Sequence, residues 1–186
     1  MTIFLGANDS AIRDLSPRQH VSVPDYKKHI HAILDIVRAV SPATKIILIT
    51  PPPLDEDTWT AINLKYDSIP GRTAEHTRLY RDACIVTGQE ARQFHGWGND
   101  LAVIDTWELF LGRERMEKVY APEDVQDFYV DGLHFGQKGN QALAEAILKT
   151  IKNTWPELHP DSMQEKIVSF HLIGANDNLP SFLFHP

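Results

Sequence analysis

Apolar positions along the chain fall into short continuous runs that alternate with longer stretches of helical spacing. Ile3-Phe4-Leu5 ends at Gly6, and Lys45–Thr50 (KIILIT) ends at Pro51-Pro52-Pro53. Leu101-Ala102-Val103-Ile104 leads into Asp105-Thr106. Continuous apolar runs closed by glycine or proline are what buried parallel strands look like. Between the first two runs, Tyr26, Ile30, Ile33, Leu34, Val37 and Val40 recur at spacings of three and four. That pattern predicts an amphipathic helix that starts at Pro24-Asp25 and ends at Ser41-Pro42.

A long loop rich in Asp, Glu and Pro is expected after the prolines, followed by a helix from about Thr73 to Phe94 with Leu79, Ala83, Val86 and Ala91 on one face. A short helix is expected around Trp107 to Tyr120. After the acidic loop and the glycines that end at Asn140, Ala142, Leu143, Ala146, Ile147 and Ile151 mark the face of a last helix. The alternation of strand and helix predicts an α/β fold with a parallel sheet. Three strands are few for a domain of this kind, and the shortage lies at the front. The expected division is a domain over residues 1–155 and a polar, proline-bearing tail over 156–186.

With 186 residues, 42% hydrophobic and 23% charged, the chain has the size and composition of one soluble globular domain. Its net charge of −7 and the lack of any basic run argue against nucleic acid or an anionic membrane surface as partner. Cys84 is the only cysteine, which fits a small buried residue and a reducing, cytoplasmic setting. No apolar stretch approaches the roughly 18 residues of a membrane span. His29 and His31 sit two apart on a helix and point about 200° apart, so they cannot share a metal from one face. Asp55-Glu56-Asp57 reads as a solvated acidic loop.

Asp131-Gly-Leu-His134 stands just before the glycine-punctuated start of the last helix. A carboxylate that holds an imidazole by Nδ1 fixes the tautomer and leaves Nε2 free as a base. The plainer alternative is a turn aspartate beside a surface histidine. Gly6-Ala-Asn8-Asp9 follows the first strand: Gly6 allows a tight exit, and Asn8 can aim an amide into a cleft as an oxyanion donor. The same four letters are also ordinary turn chemistry. Loops of this kind converge at the carboxyl ends of the strands in an open α/β sheet. Pro51 to Leu54 lie at that end too, either as an apolar lip or as a simple stop to the strand. Trp59 and Trp107 line the same cleft or fill the core.

Taken together, these segments resemble the SGNH hydrolases, or GDSL-type esterases, in particular the isoamyl acetate-hydrolysing branch found in yeasts and other fungi. TIFLGAND is similar to the third conserved block of that branch and DGLHFGQKGN to its fifth. ILITPPPLDEDTW and GRTAEHTRLYRDAC are similar to stretches between them. The resemblance runs to about Met163. It implies a flavodoxin-like three-layer α/β/α domain that hydrolyses small carboxylic esters, without metal or cofactor, by a Ser-His-Asp mechanism. The implied roles are general base for His134, orienting acid for Asp131 and oxyanion donor for Asn8; Gly6 and Pro53, from their own places at the strand ends, are candidate substrate-contacting positions.

The family's Gly-Asp-Ser block, which carries the nucleophile, does not occur among these 186 residues. Of the eight serines, Ser10 alone neighbours the expected site, and it follows the loop instead of occupying a strand-to-helix elbow. The expectation is therefore a domain that begins inside the third strand of a longer esterase, with Ile3-Phe4-Leu5 as an open sheet edge. Two alternatives stand beside it: an inactive binding module of the same fold, and an unrelated flavodoxin-like binding domain. Gly174-Ala-Asn-Asp177 repeats the letters of the opening loop, which is read as coincidence because four residues do not make a periodic repeat.

Overall fold

The computed structural model describes residues 1–163, so the second Gly-Ala-Asn-Asp and most of the expected tail lie outside the described residues. A parallel sheet of three strands is formed by β1 (Thr2–Phe4), β2 (Ile46–Ile49) and β3 (Leu101–Ile104), in the spatial order β1-β2-β3. Ile3 is in register with Leu48, and Leu48 with Val103.

All four residues of β2 are buried, as a central strand covered on both faces requires. Alternation along the strand then sorts its side chains into two cores. Ile46 and Leu48 join Ile3 and Leu101 under α1 (Val23–Val40) and the helix over Ala74–Phe94, while Ile47 and Ile49 join Ile104 and Trp155 on the opposite face. The last helix, Gln137–Thr154, covers that second face with Leu143, Ala146, Ile147 and Ile151. The result is the α/β fold with a parallel sheet expected from the alternating pattern, in the three-layer α/β/α arrangement that the resemblance implied. Among the described residues β1 is paired on one side only, and Phe4 and Leu5 are 40% and 46% exposed beside that edge.

Three details differ from the sequence reading. A helix, α2 (Glu56–Lys65), replaces the long loop after the prolines. It buries no residue fully and so carries no apolar stripe to betray it; its start is set by Asp55, whose side chain accepts from the Thr58 amide. The helix over Ala74–Phe94, α3, packs through Tyr80, Ala83, Cys84, Thr87, Gly88 and Ala91, while Leu79 and Val86 face outward. Small residues let the helix approach the sheet closely, and this outweighs the larger but outward-facing aliphatics. The expected helix over 107–120 is only α4 (Thr106–Leu111), ended by Gly112; the 137–154 helix is therefore α5.

Beneath α3, Cys84 is wholly buried, and burial pushes its thiol up to about 12. Arg81, 5% exposed, is held by Asp105 at the end of β3 through Nε bonds of 3.2 and 3.1 Å. Asp105 also accepts from the Trp107 amide and so caps α4. These buried partners fix the carboxyl end of β3 against α3.

Candidate active site

Two loops meet at the carboxyl ends of β1 and β2. The first leaves β1 at Leu5, whose carbonyl accepts from the Tyr26 hydroxyl at 3.1 Å. Gly6 follows with φ of +115°, and a Cβ there would come within 3.1 Å of both Pro51 Cγ and the Tyr26 hydroxyl. The chain then closes a tight turn, in which the Ser10 amide donates to the Gly6 carbonyl at 2.9 Å and the Ala11 amide to the Asn8 carbonyl at 3.0 Å. Asn8 stands at the head of this turn. Ser10 is fully buried beneath it; its hydroxyl donates to the Ala7 carbonyl at 3.1 Å and lies 3.3 Å from the Thr77 hydroxyl.

The second loop is a small pinched turn. Tyr129 and Phe135 form an antiparallel bridge, and the Val130 amide donates to the His134 carbonyl at 2.9 Å. Inside the pinch, Asp131 Oδ1 accepts from the Leu133 amide at 3.0 Å and the His134 amide at 2.7 Å, while Oδ2 receives His134 Nδ1 at 2.6 Å. A carboxylate can only accept, so Nδ1 donates and the free ring nitrogen, Nε2, is the basic one. Partial burial pushes the Asp131 carboxyl up, but the two amides and the imidazole outweigh it and hold the carboxyl below its ordinary range. The His134 side chain is 70% exposed, open to an incoming molecule.

This turn is docked from outside. Gly132 has φ of +89°, and a Cβ there would meet the Asp55 carbonyl oxygen and lie 2.6 Å from the Trp59 amide nitrogen. The Asp55 amide donates to the Gly132 carbonyl at 3.0 Å, tying the turn to the start of α2. The Trp59 ring then stands edge-on to His134 with centroids 6.5 Å apart.

Between the loops lies a cavity of about 250 Å³ lined by Phe4, Ala7, Asn8, Pro52, Leu133, His134 and Phe135. Asn8 and His134 thus share one space, although 126 positions separate them in the chain. Gly6 does not line this cavity; it packs against Pro51 and the Tyr26 hydroxyl. Pro52, not Pro53, reaches the cavity; the Pro53 carbonyl instead accepts from the Tyr129 hydroxyl. Trp107 is a core residue, donating through Nε1 to the Pro51 carbonyl at 3.0 Å, whereas Trp59 belongs to the site's surroundings.

Asp55 and Glu56 act as caps, the second accepting from the Ala74 amide at 2.9 Å, and His31 pairs with Glu90 at 3.2 Å. The residue that reading the sequence missed is Arg72. Its guanidinium donates to the Ala7 carbonyl and to Asn8 Oδ1. Arg72 lies in the GRTAEHTRLYRDAC stretch that shares in the resemblance, but nothing in that stretch points at Asn8.

A family model for GDSL-like lipases and acylhydrolases matches residues 1–147. The chain belongs to this family. It is 33% identical over 159 residues to a GDSL esterase/lipase of Arabidopsis thaliana, which covers 82% of this chain and 58% of that protein. It is 31% identical over 157 residues to the isoamyl acetate-hydrolyzing esterase 1 homolog of Homo sapiens, covering 84% and 54% respectively. The chain therefore spans a little over half the length of these curated relatives. A solved structure from Streptococcus pneumonia, described in terms of platelet activating factor, shares the fold with a TM-score of 0.56 at 21% identity, over 82% of this chain and 58% of that one. None of the described helices is long and apolar enough to cross a membrane.

Proposed function

We propose that the GDSL-like domain forms the base and oxyanion walls of a site that hydrolyses small carboxylic esters of the acetate type. The observation that carries this is the shared cavity: an imidazole with its tautomer set by Asp131 faces an asparagine amide across about 250 Å³ of largely apolar space. A short acyl group fits such a volume, with Phe4, Pro52, Leu133 and Phe135 as its apolar contacts.

In this reading His134 Nε2 takes the proton of an attacking serine hydroxyl as it adds to the ester carbonyl, and the imidazolium that forms is stabilised by Asp131. Asn8 donates to the oxygen that gains negative charge. The proton then passes from His134 to the departing alcohol, and water completes the second half of the cycle by the same route. The serine is supplied by a Gly-Asp-Ser segment, which is absent from these 186 residues. Ser10 does not substitute for it, because its hydroxyl is buried between Ala7 and Thr77.

The test is to supply a Gly-Asp-Ser segment from a relative, fused ahead of the chain, and to follow hydrolysis of p-nitrophenyl acetate. Activity should appear with the segment and fall by about 10⁴-fold or more in His134→Ala, with the melting temperature unchanged because the side chain is exposed. Activity within tenfold of the parent would remove His134 from the base role. The 186-residue chain alone should resist a fluorophosphonate probe; labelling would show that one of its own serines is activated.

The buried state of Ser10 also supports a second reading, a binding module that retains the cavity without turnover. Hydrolysis by the fused protein would discriminate against it.

A further inference from the structure

We propose that Arg72 is a positioning residue that holds the Asn8 amide with its NH2 end toward the cavity and strengthens that end as a donor; this rests on the ester-hydrolysis reading for its consequence in turnover, but not for its geometry. Arg72 is 7% exposed and lies in the segment between α2 and α3, 64 residues from Asn8. Its Nε donates to the Ala7 carbonyl at 3.0 Å, and one Nη2 donates both to Asn8 Oδ1 at 2.8 Å and to Gln19 Oε1 at 2.7 Å. A guanidinium has no acceptor, so only the carbonyl end of the asparagine can face it. The NH2 end is left for the space that Asn8 lines together with His134.

The contact does more than choose a rotamer. A positive charge on the amide oxygen draws electron density from the nitrogen, so the N–H bonds become more strongly polarised, as in any chain of hydrogen bonds that reinforce one another. Among the described residues Arg72 forms no salt bridge, its side-chain acceptors being the neutral oxygens of Ala7, Asn8 and Gln19. None of these acceptors is a carboxylate, and the guanidinium's field is felt where negative charge develops on the carbonyl oxygen. Burial lowers the guanidinium's proton affinity from its ordinary value but leaves it a cation at any ordinary pH.

Arg72 also touches the other wall. Its guanidinium carbon lies 5.3 Å from the centroid of the Trp59 ring, which stands against His134. Trp59 in turn packs on the Gly132 backbone inside the Asp131–His134 turn. Arg72 therefore bonds the amide wall and lies against a residue that borders the imidazole wall.

The first test reads the amide directly, by NMR of the 15N-labelled 186-residue chain with the Asn8 side-chain signals assigned from Asn8→Ala. The wild type should show two slowly exchanging Asn8 NH2 protons displaced from the pair of shifts of a free asparagine amide, with contacts to the His134 ring. In Arg72→Lys and Arg72→Met both should move toward that free pair. Free-asparagine shifts in the wild type, or unchanged signals in a folded Arg72→Lys, would overturn the proposal whatever the activity.

The second test uses the fused, active protein. Arg72→Lys should lower kcat by about 10- to 100-fold with KM changed less than about threefold. Most of that loss should vanish when the change is made on an Asn8→Ala background. Losses that simply add would mean that Arg72 only braces the fold. A fused protein with no activity, combined with a fixed amide in the first test, would instead count against the ester-hydrolysis reading and leave the positioning of Asn8 intact.

Discussion

The two walls of the cavity are built in opposite ways. The Asp131–His134 turn is nearly self-sufficient: four neighbouring residues supply the carboxylate, the two amides it accepts from and the imidazole it orients. The Gly6–Ser10 turn depends on distant parts of the chain. Tyr26 holds Leu5, Arg72 holds Ala7 and Asn8, His76 Nδ1 meets the Ser10 carbonyl at 2.7 Å, and Thr77 lies beside the Ser10 hydroxyl. A base needs a set tautomer, which one adjacent carboxylate provides. An oxyanion donor needs a set position in space, which the local chain cannot provide because Asn8 lies in a loop four residues beyond the last residue of a three-residue strand.

The difference can be broken first at Gly132, where the base wall is docked on the start of α2. Gly132→Ala forces a side chain into positive φ and against the Asp55 carbonyl and the Trp59 backbone, and should destabilise the protein by about 3 kcal/mol. Chemical denaturation checks this; a loss below about 1 kcal/mol would show that the turn moves independently of α2.

A smaller effect is expected on the other wall. Ser10→Ala removes a buried hydroxyl that bonds Ala7 and Thr77, at a cost of about 1 kcal/mol, and leaves ester hydrolysis by the fused protein within a few fold. A collapse of activity in a folded Ser10→Ala would give Ser10 a chemical role that its burial does not suggest.

The least change in stability at neutral pH is expected for Asp131→Asn, but its pH dependence is informative. The folded-state value of Asp131 is depressed, so its contribution to stability is present above the ordinary carboxylate range near 3.9 and is lost as pH falls through the lower folded value. The stability difference between wild type and Asp131→Asn should therefore shrink on acidification below that range. A difference that grows toward low pH would mean that the carboxyl is protonated more readily in the folded protein than in the unfolded one.

How much could be read in advance follows the same division. The strands were legible because buried parallel strands are apolar on both faces, and β2 fills all four of its positions that way. The Asp131–His134 pair was legible because three residues bring the carboxylate and the imidazole together within one turn. By contrast, α2 was hidden because it buries no residue fully, although its start positions the Gly132 carbonyl. The outward turn of Leu79 and Val86 was hidden for a related reason: which stripe of α3 meets the sheet depends on the close approach that Ala83, Thr87 and Gly88 permit. Pro53 was displaced from the cavity by one position because a proline run does not reveal which of its rings points inward.

The sequence by itself determined the alternation of strand and helix, the two faces of β2 and the chemistry of the Asp131–His134 pair, since each is decided by neighbours within a few residues. Only the tertiary structure decided that Asn8 and His134 border one cavity, that Ser10 is turned into the interior, and that a buried arginine stands behind the amide. Those outcomes depend on contacts between segments far apart in the chain, and their geometry is set by packing across the sheet and its loops, which no local pattern of residues encodes.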